Sequence, residues 1–162
     1  MKINNKSQAA LEFLTTYGWA FLVILIMIGA LAYFGILNPS RLLPDRCSFG
    51  SEFECLDFQI SDTDSSIRVR LKNNVGDAIT IQTMTVTTEA VTSLSCTGAP
   101  TITGVWGVGE IRDFAFTSCD VAAVGFVAGE KGKVSIAVNY YAVRSGASYA
   151  HVVNGEIFST LV

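Results

Sequence analysis

The sequence predicts an α+β protein: one long N-terminal apolar helix followed by an antiparallel all-β head. Three observations carry this. No charged residue occurs from Phe13 to Ser40, and Phe13–Leu37 is an uncharged, mainly apolar run of 25 residues. Residues 66–73 alternate between apolar and polar, the period of a half-buried strand. Further along, stretches rich in Ile, Val and Thr recur between clusters of turn-forming residues, as in an antiparallel sandwich.

The helix comes first. As an α-helix the apolar run is about 37 Å long at 1.5 Å per residue, enough to cross a bilayer core of ~30 Å with some tilt. A secretory signal has an apolar region of only about 7–15 residues followed by a small-x-small cleavage site, and Gly35-Ile36-Leu37-Asn38-Pro39 contains no such site. Tyr17 and Trp19 near one end, and Tyr33 and Phe34 near the other, match interfacial aromatics. Lys2 and Lys6 on the short head predict a cytoplasmic N-terminus, with the rest outside. Pro39 lacks an N–H and disfavours a helical Asn38, so it ends the helix. Thr16 and Ala20 form a small-xxx-small pair, and Gly18 and Gly29 thin the surface for close helix approach. Residues 38–45 are the one plausible hinge, and 46–162 form a single outer domain.

Within that domain, residues 53–60 are a strand candidate. Ser66–Asn73 puts Ile67, Val69 and Leu71 on one face and Arg68, Arg70 and Lys72 on the other. Asn73-Asn74-Val75-Gly76-Asp77 is a turn. Residues 78–88 favour a strand, and their apolar phase changes between Ile81 and Met84, the mark of a β-bulge or of a strand changing sheets. The Gly-rich stretch 104–109 lacks the Lys-Ser/Thr end of a phosphate loop and reads as a turn around a packed Trp106. Residues 111–116, 133–143 and 148–162 supply the remaining strands, and Asn154-Gly155 is a second hairpin turn or a bulge. Six to eight such strands fit an immunoglobulin-like sandwich.

The chain carries 11 basic and 14 acidic residues, a net charge of −3, and this acidic balance excludes nucleic acid as a partner. All four cysteines, Cys47, Cys55, Cys96 and Cys119, fall on the outer side, where disulfides are favoured over thiols. Three pairings are possible. Cys47–Cys55 with Cys96–Cys119 is preferred, because each bond then closes a loop between neighbouring segments. No C-x-x-C occurs, the lone His151 is remote in sequence, and Asp62-Thr63-Asp64 lacks the rest of a calcium loop. Asp57 and Glu54 read as a solvated edge. No nucleophile motif accompanies His151, so the expectation is a non-enzyme without cofactor or metal.

The head of the chain, Lys6-Ser7 followed by Gln8-Ala9-Ala10-Leu11-Glu12-Phe13 and the apolar helix, resembles the class III signal of type IV pilin-like proteins in its archaeal form. The resemblance covers residues 6 to about 37 and, over the β domain, only the overall plan. It implies that a prepilin peptidase cuts between Ser7 and Gln8. Residues 1–7 are then a leader, residues 8–37 the membrane span and later the filament core, and Glu12 the fifth residue of the mature chain. Loss of Lys2 and Lys6 would leave 9 basic against 14 acidic residues. Archaellins share this plan but generally begin with a Gly-containing apolar stretch, from which Gln8 departs.

The partners implied by the resemblance are the peptidase, an assembly ATPase with its membrane platform, and further copies of the chain. The precursor would be a single-pass membrane protein and the product an extracellular filament for adhesion or surface attachment. The alternative is a minor pilin or an anchored surface module whose β domain binds a ligand. An exposed aromatic patch or a deep loop pocket favours that alternative, and a smooth small domain favours a bulk subunit.

Overall fold

The computed structural model describes the backbone of residues 5–10 and all atoms of residues 11–34, 43–88 and 94–162. It divides into two compact units, Met1–Leu43 and Pro44–Val162.

The first unit is α1, Asn5–Tyr33, whose last turn closes with Phe34 N donating to the Ala30 carbonyl at 3.0 Å. The expected continuation to Leu37 and most of the 38–45 hinge lie outside the described residues. The helix also begins earlier than residue 8: Asn5, Lys6 and Ser7 are already helical.

The second unit is a sandwich of two four-stranded sheets, so the fold is the α+β arrangement expected. Its strands are β1 (Arg46–Ser48), β2 (Phe53–Ser61), β3 (Ser66–Asn73), β4 (Ile79–Thr87), β5 (Cys96–Gly98), β6 (Ile111–Cys119), β7 (Lys131–Ala142) and β8 (Ala150–Thr160). One sheet has the order β1-β8-β7-β4 and the other β2-β3-β6-β5, and every strand pair is antiparallel.

Strand alternation builds the core. Ile67, Val69 and Leu71 of β3 are at most 2% exposed, and they share one apolar cluster with Val134, Ile136 and Val138 of β7, each fully buried. The phase change in β4 is a bulge: Ile81 pairs with Tyr140 and Thr83 with Asn139, leaving Gln82 as the extra residue. A second bulge, at Leu56 of β2, has no counterpart in the sequence reading.

Asn154-Gly155 is neither a turn nor a bulge, which corrects the expectation. β8 runs through it in unbroken register with β7, and Gly155 stands opposite Ile136. The glycine serves packing: a Cβ there would run into the Phe49 ring, which is 1% exposed. Gly155→Ala is therefore expected to destabilise the head by about 1–3 kcal/mol through overpacking. A lower urea midpoint at unchanged slope in solubilised protein checks this.

Candidate functional site

α1 carries the processing and assembly residues. Gln8 and Glu12 are four positions apart, so they occupy one helix face, one turn from each other. Thr15 Oγ1 donates to the carbonyls of Leu11 and Glu12 at 3.0 and 3.1 Å, which satisfies its hydroxyl within the helix. Leu11–Tyr33 spans 23 residues with a mean hydropathy of 2.0. Phe13, Leu14 and Trp19 lie on different sides of the helix and are each more than half exposed. A helix apolar all round has no favourable place in water. This one is long and apolar enough to cross a membrane, a criterion that a signal sequence also meets.

In the head, both disulfides hold neighbouring strands. Cys47–Cys55 joins β1 to β2 and so crosses between the sheets, with Cα atoms 6.0 Å apart. Cys96–Cys119 joins directly opposed residues of β5 and β6. Trp106, fully buried, links the sheets elsewhere. Its backbone exchanges hydrogen bonds with Ile79 of β4, its ring stacks on Phe53 at 5.2 Å, and its indole N–H donates to the Glu110 carbonyl at 2.9 Å.

Comparison with protein-family models, curated proteins and solved structures gives no match.

Of the acids singled out in the sequence, Glu54 and Asp64 are brought into ion pairs, and Arg70 pairs with a further acid, Asp113. Lys72 donates to Glu54 at 3.0 Å, Arg68 approaches Asp64 at 3.5 Å, and Arg70 forks onto Asp113 at 2.6 and 3.0 Å. Asp57 accepts from the Phe58 N–H at 2.9 Å. Among the described residues, no three of His, Cys, Asp and Glu gather as metal ligands do. His151 lies on β8 with its ring 5.9 Å from that of Tyr140. A groove of about 360 Å³ runs over the outer face of β2, β3 and β6, lined by Asp57, Gln59, Arg68, Arg70 and Asp113. It is a trough between strand side chains, and its charges are largely committed to one another.

Two residues that sequence reasoning passed over are structural hubs. Asn73, fully buried, donates from Nδ2 to the carbonyls of Asp77, Trp106 and Gly107 at 2.9–3.1 Å and accepts from Val75 N–H at 3.0 Å. It fastens the 104–110 turn to the β3–β4 turn. Asp45, at the start of the head, accepts from Lys131 Nζ at 2.8 Å, from Thr160 N–H at 3.1 Å and from Thr160 Oγ1 at 3.3 Å. The only sequence signal was a turn residue in one case and a hinge residue in the other.

The hydrogen bond from Lys131 holds the Asp45 carboxyl below its ordinary value, against a smaller opposing effect of burial. Hydrogen bonds from Lys72, Arg112 and Arg70 do the same for Glu54, Glu110 and Asp113. Carboxylates lowered on folding add stability above their unfolded values of 3.8 for Asp and 4.5 for Glu, and lose it as pH falls through the lower folded values. Head stability is thus expected to hold from neutral pH to that range and to decline below it. Thermal unfolding followed by circular dichroism checks this, with Asp45→Asn showing a shallower decline.

Asn73→Ala removes the amide from three carbonyls and the Val75 N–H; the Trp106 and Gly107 carbonyls keep bonds from the Ile79 and Glu110 N–H groups, so the Asp77 carbonyl and the Val75 N–H lose the partner described here. The expected loss is about 2–4 kcal/mol, since each orphaned buried group costs roughly 1–3 kcal/mol. Chemical denaturation checks it.

Proposed function

We propose that this chain is the subunit of a surface filament of the type IV pilus kind. It is trimmed between Ser7 and Gln8 and polymerised through residues 8 to about 37, with the β domain outward. The single observation that supports this reading most is the order Lys6-Ser7-Gln8 with Glu12 one helical turn on, at the start of a helix uncharged from Phe13 onward.

The physics of that order is specific. Cutting before Gln8 creates an α-amino cation at the positive end of a helix, where it is poorly placed. Packed among identical apolar helices, such a cation is costly unless it is paired. Glu12 is close enough to neutralise its own amine or that of a neighbour sliding into register, so the pair rewards correct stagger. An anchor alone gains nothing from a carboxylate at that position. Each apolar side chain moved from water into such a bundle contributes on the order of 1.5–3 kcal/mol, and before assembly lipid covers the same surface. The ion-paired groove and the absence of a gathered ligand set among the described residues support a bulk subunit over a ligand-binding module.

Two measurements test the proposal. Mature protein in sheared filaments is expected to begin at Gln8 or its pyroglutamate form; mass spectrometry finding Met1 there would refute the reading. Glu12→Gln keeps size and helix propensity but removes the charge. Processed subunit in membranes is expected to be unchanged, while filament mass falls sharply. Normal filament yield from Glu12→Gln would reduce Glu12 to a bystander.

A further inference from the structure

Each sheet of the head ends in two edge strands, and an edge strand presents unpaired N–H and C=O groups that can take up another strand. Three of the four edges are guarded. β1 and β5 hold three residues each. β2 carries Glu54 and Asp57, breaks its register at Leu56, and is tied through Cys55 to β1. β4 is the exception. It lies at the end of its sheet, beside β7, and is nine residues long. No charged residue and no proline occurs from Ala78 to Thr88. The Ile79–Trp106 bridge and the bulge at Gln82 take up its first part. From Thr83 to Thr87 no strand lies on its outer side among the described residues.

The stretch beyond the bulge, Thr83-Met84-Thr85-Val86-Thr87, is β-branched at four of its five positions, which favours a pleated partner. Thr83, Thr85 and Thr87 are exposed on the outer face. On the inner face Met84 is buried, while Val86 packs against the core and is only half-buried.

We propose that β4 pairs antiparallel with β4 of a second copy, about a two-fold axis at Thr85. Thr83 then stands opposite Thr87 of the second copy, and Met84 opposite its Val86. Threonine meets threonine on the outer face, and Val86 is covered on the inner one. Charge is what selects a second copy. A two-fold contact sets a patch against itself, so an edge with charges of one sign meets like charge across the axis, at a cost. β2, with Glu54 and Asp57, is such an edge, and β4 is free of charge throughout. A strongly charged foreign strand would find nothing on β4 to answer it. The paired stretch is short, five residues at ~3.4 Å each. It therefore suits copies held close together, as in one membrane, where effective concentration is raised. The pairing goes beyond the filament reading and does not rest on it.

The test is the full chain in its own membrane, with a benzophenone amino acid in place of Gln82, an exposed position on the same strand. Illumination is expected to give a dimer whose cross-link joins β4 of one copy to β4 of another. The triple variant Thr83→Lys, Thr85→Lys and Thr87→Lys is expected to cut that dimer at least tenfold, because two lysine rows face each other in any register. The matching Thr→Glu triple variant is expected to do the same, and co-expression of the two to restore the dimer. Peptide mapping of Cys47–Cys55 and Cys96–Cys119 confirms the fold of each variant. A dimer undiminished in both triple variants, or no cross-link at all, would overturn the pairing. Cross-links only within one chain would overturn it and show the edge covered internally. Cross-links to a different protein would overturn it and assign the edge to a foreign strand. Each of these outcomes leaves the filament reading intact, since that stands on the Gln8 terminus and on Glu12.

Discussion

The head depends on Trp106. Its ring fills the core between the sheets, stacked on Phe53 and edge-on to Phe114 at 5.4 Å, while its backbone pairs with the rim of β4. Burial of so large an aromatic carries a loss of roughly 3–5 kcal/mol when it is truncated, and here the side chain also positions a turn that contains no strand of its own. Asn73 completes the arrangement by answering the carbonyls of Trp106 and Gly107, which the close approach of the turn takes away from water. Arg112 adds a clamp from β6, donating to the Thr103 and Val105 carbonyls at 2.9 and 2.6 Å. Without these contacts the segment between β5 and β6 has little else to hold it.

The two units solve opposite solvent problems. The head hides its apolar residues in a small sandwich of about 120 residues, and two disulfides reinforce it. The helix hides nothing within itself, so its environment must supply the apolar partner. A helix apolar all round is favoured only where an apolar surface covers it. That constraint makes the charge placement in residues 1–12 informative: every charge in the helical segment lies before Phe13.

The surfaces of the head separate by chemistry. On one sheet, β4 and the middle of β7 show small hydroxyl and amide side chains, with a Lys133–Glu156 ion pair beside them. The other shows basic residues on β3 flanked by acids on β2 and β6. Cross-strand opposite charges of this kind contribute little each when exposed, but they commit Arg68, Arg70 and Lys72 to acid partners. The larger exposed apolar residues outside the helix concentrate instead at the loops, which is where contacts with other molecules usually form.

Much of the fold was legible from local pattern. β3 reads from its alternation because one face is buried and the other solvated, and the β4 bulge reads from a break in the same rule. The Trp106 turn reads because glycines and one large aromatic have few other uses there. The short strands β1 and β5 did not read, since three residues hold no period and are strands only because β8 and β6 pair with them. Gly155 was misread because a glycine after asparagine suits a turn, whereas the ring of Phe49, more than a hundred residues earlier, is what requires it. The roles of Asn73 and Asp45 likewise rest on partners distant in sequence, Trp106 for one and Lys131 and Thr160 for the other. Sequence alone determined the helix, its charge pattern and the period of the long strands, because these follow from neighbouring residues and their solvent. Only the tertiary structure decided register, sheet order and the hydrogen-bond hubs, because those depend on which distant backbone groups must be satisfied once water is excluded.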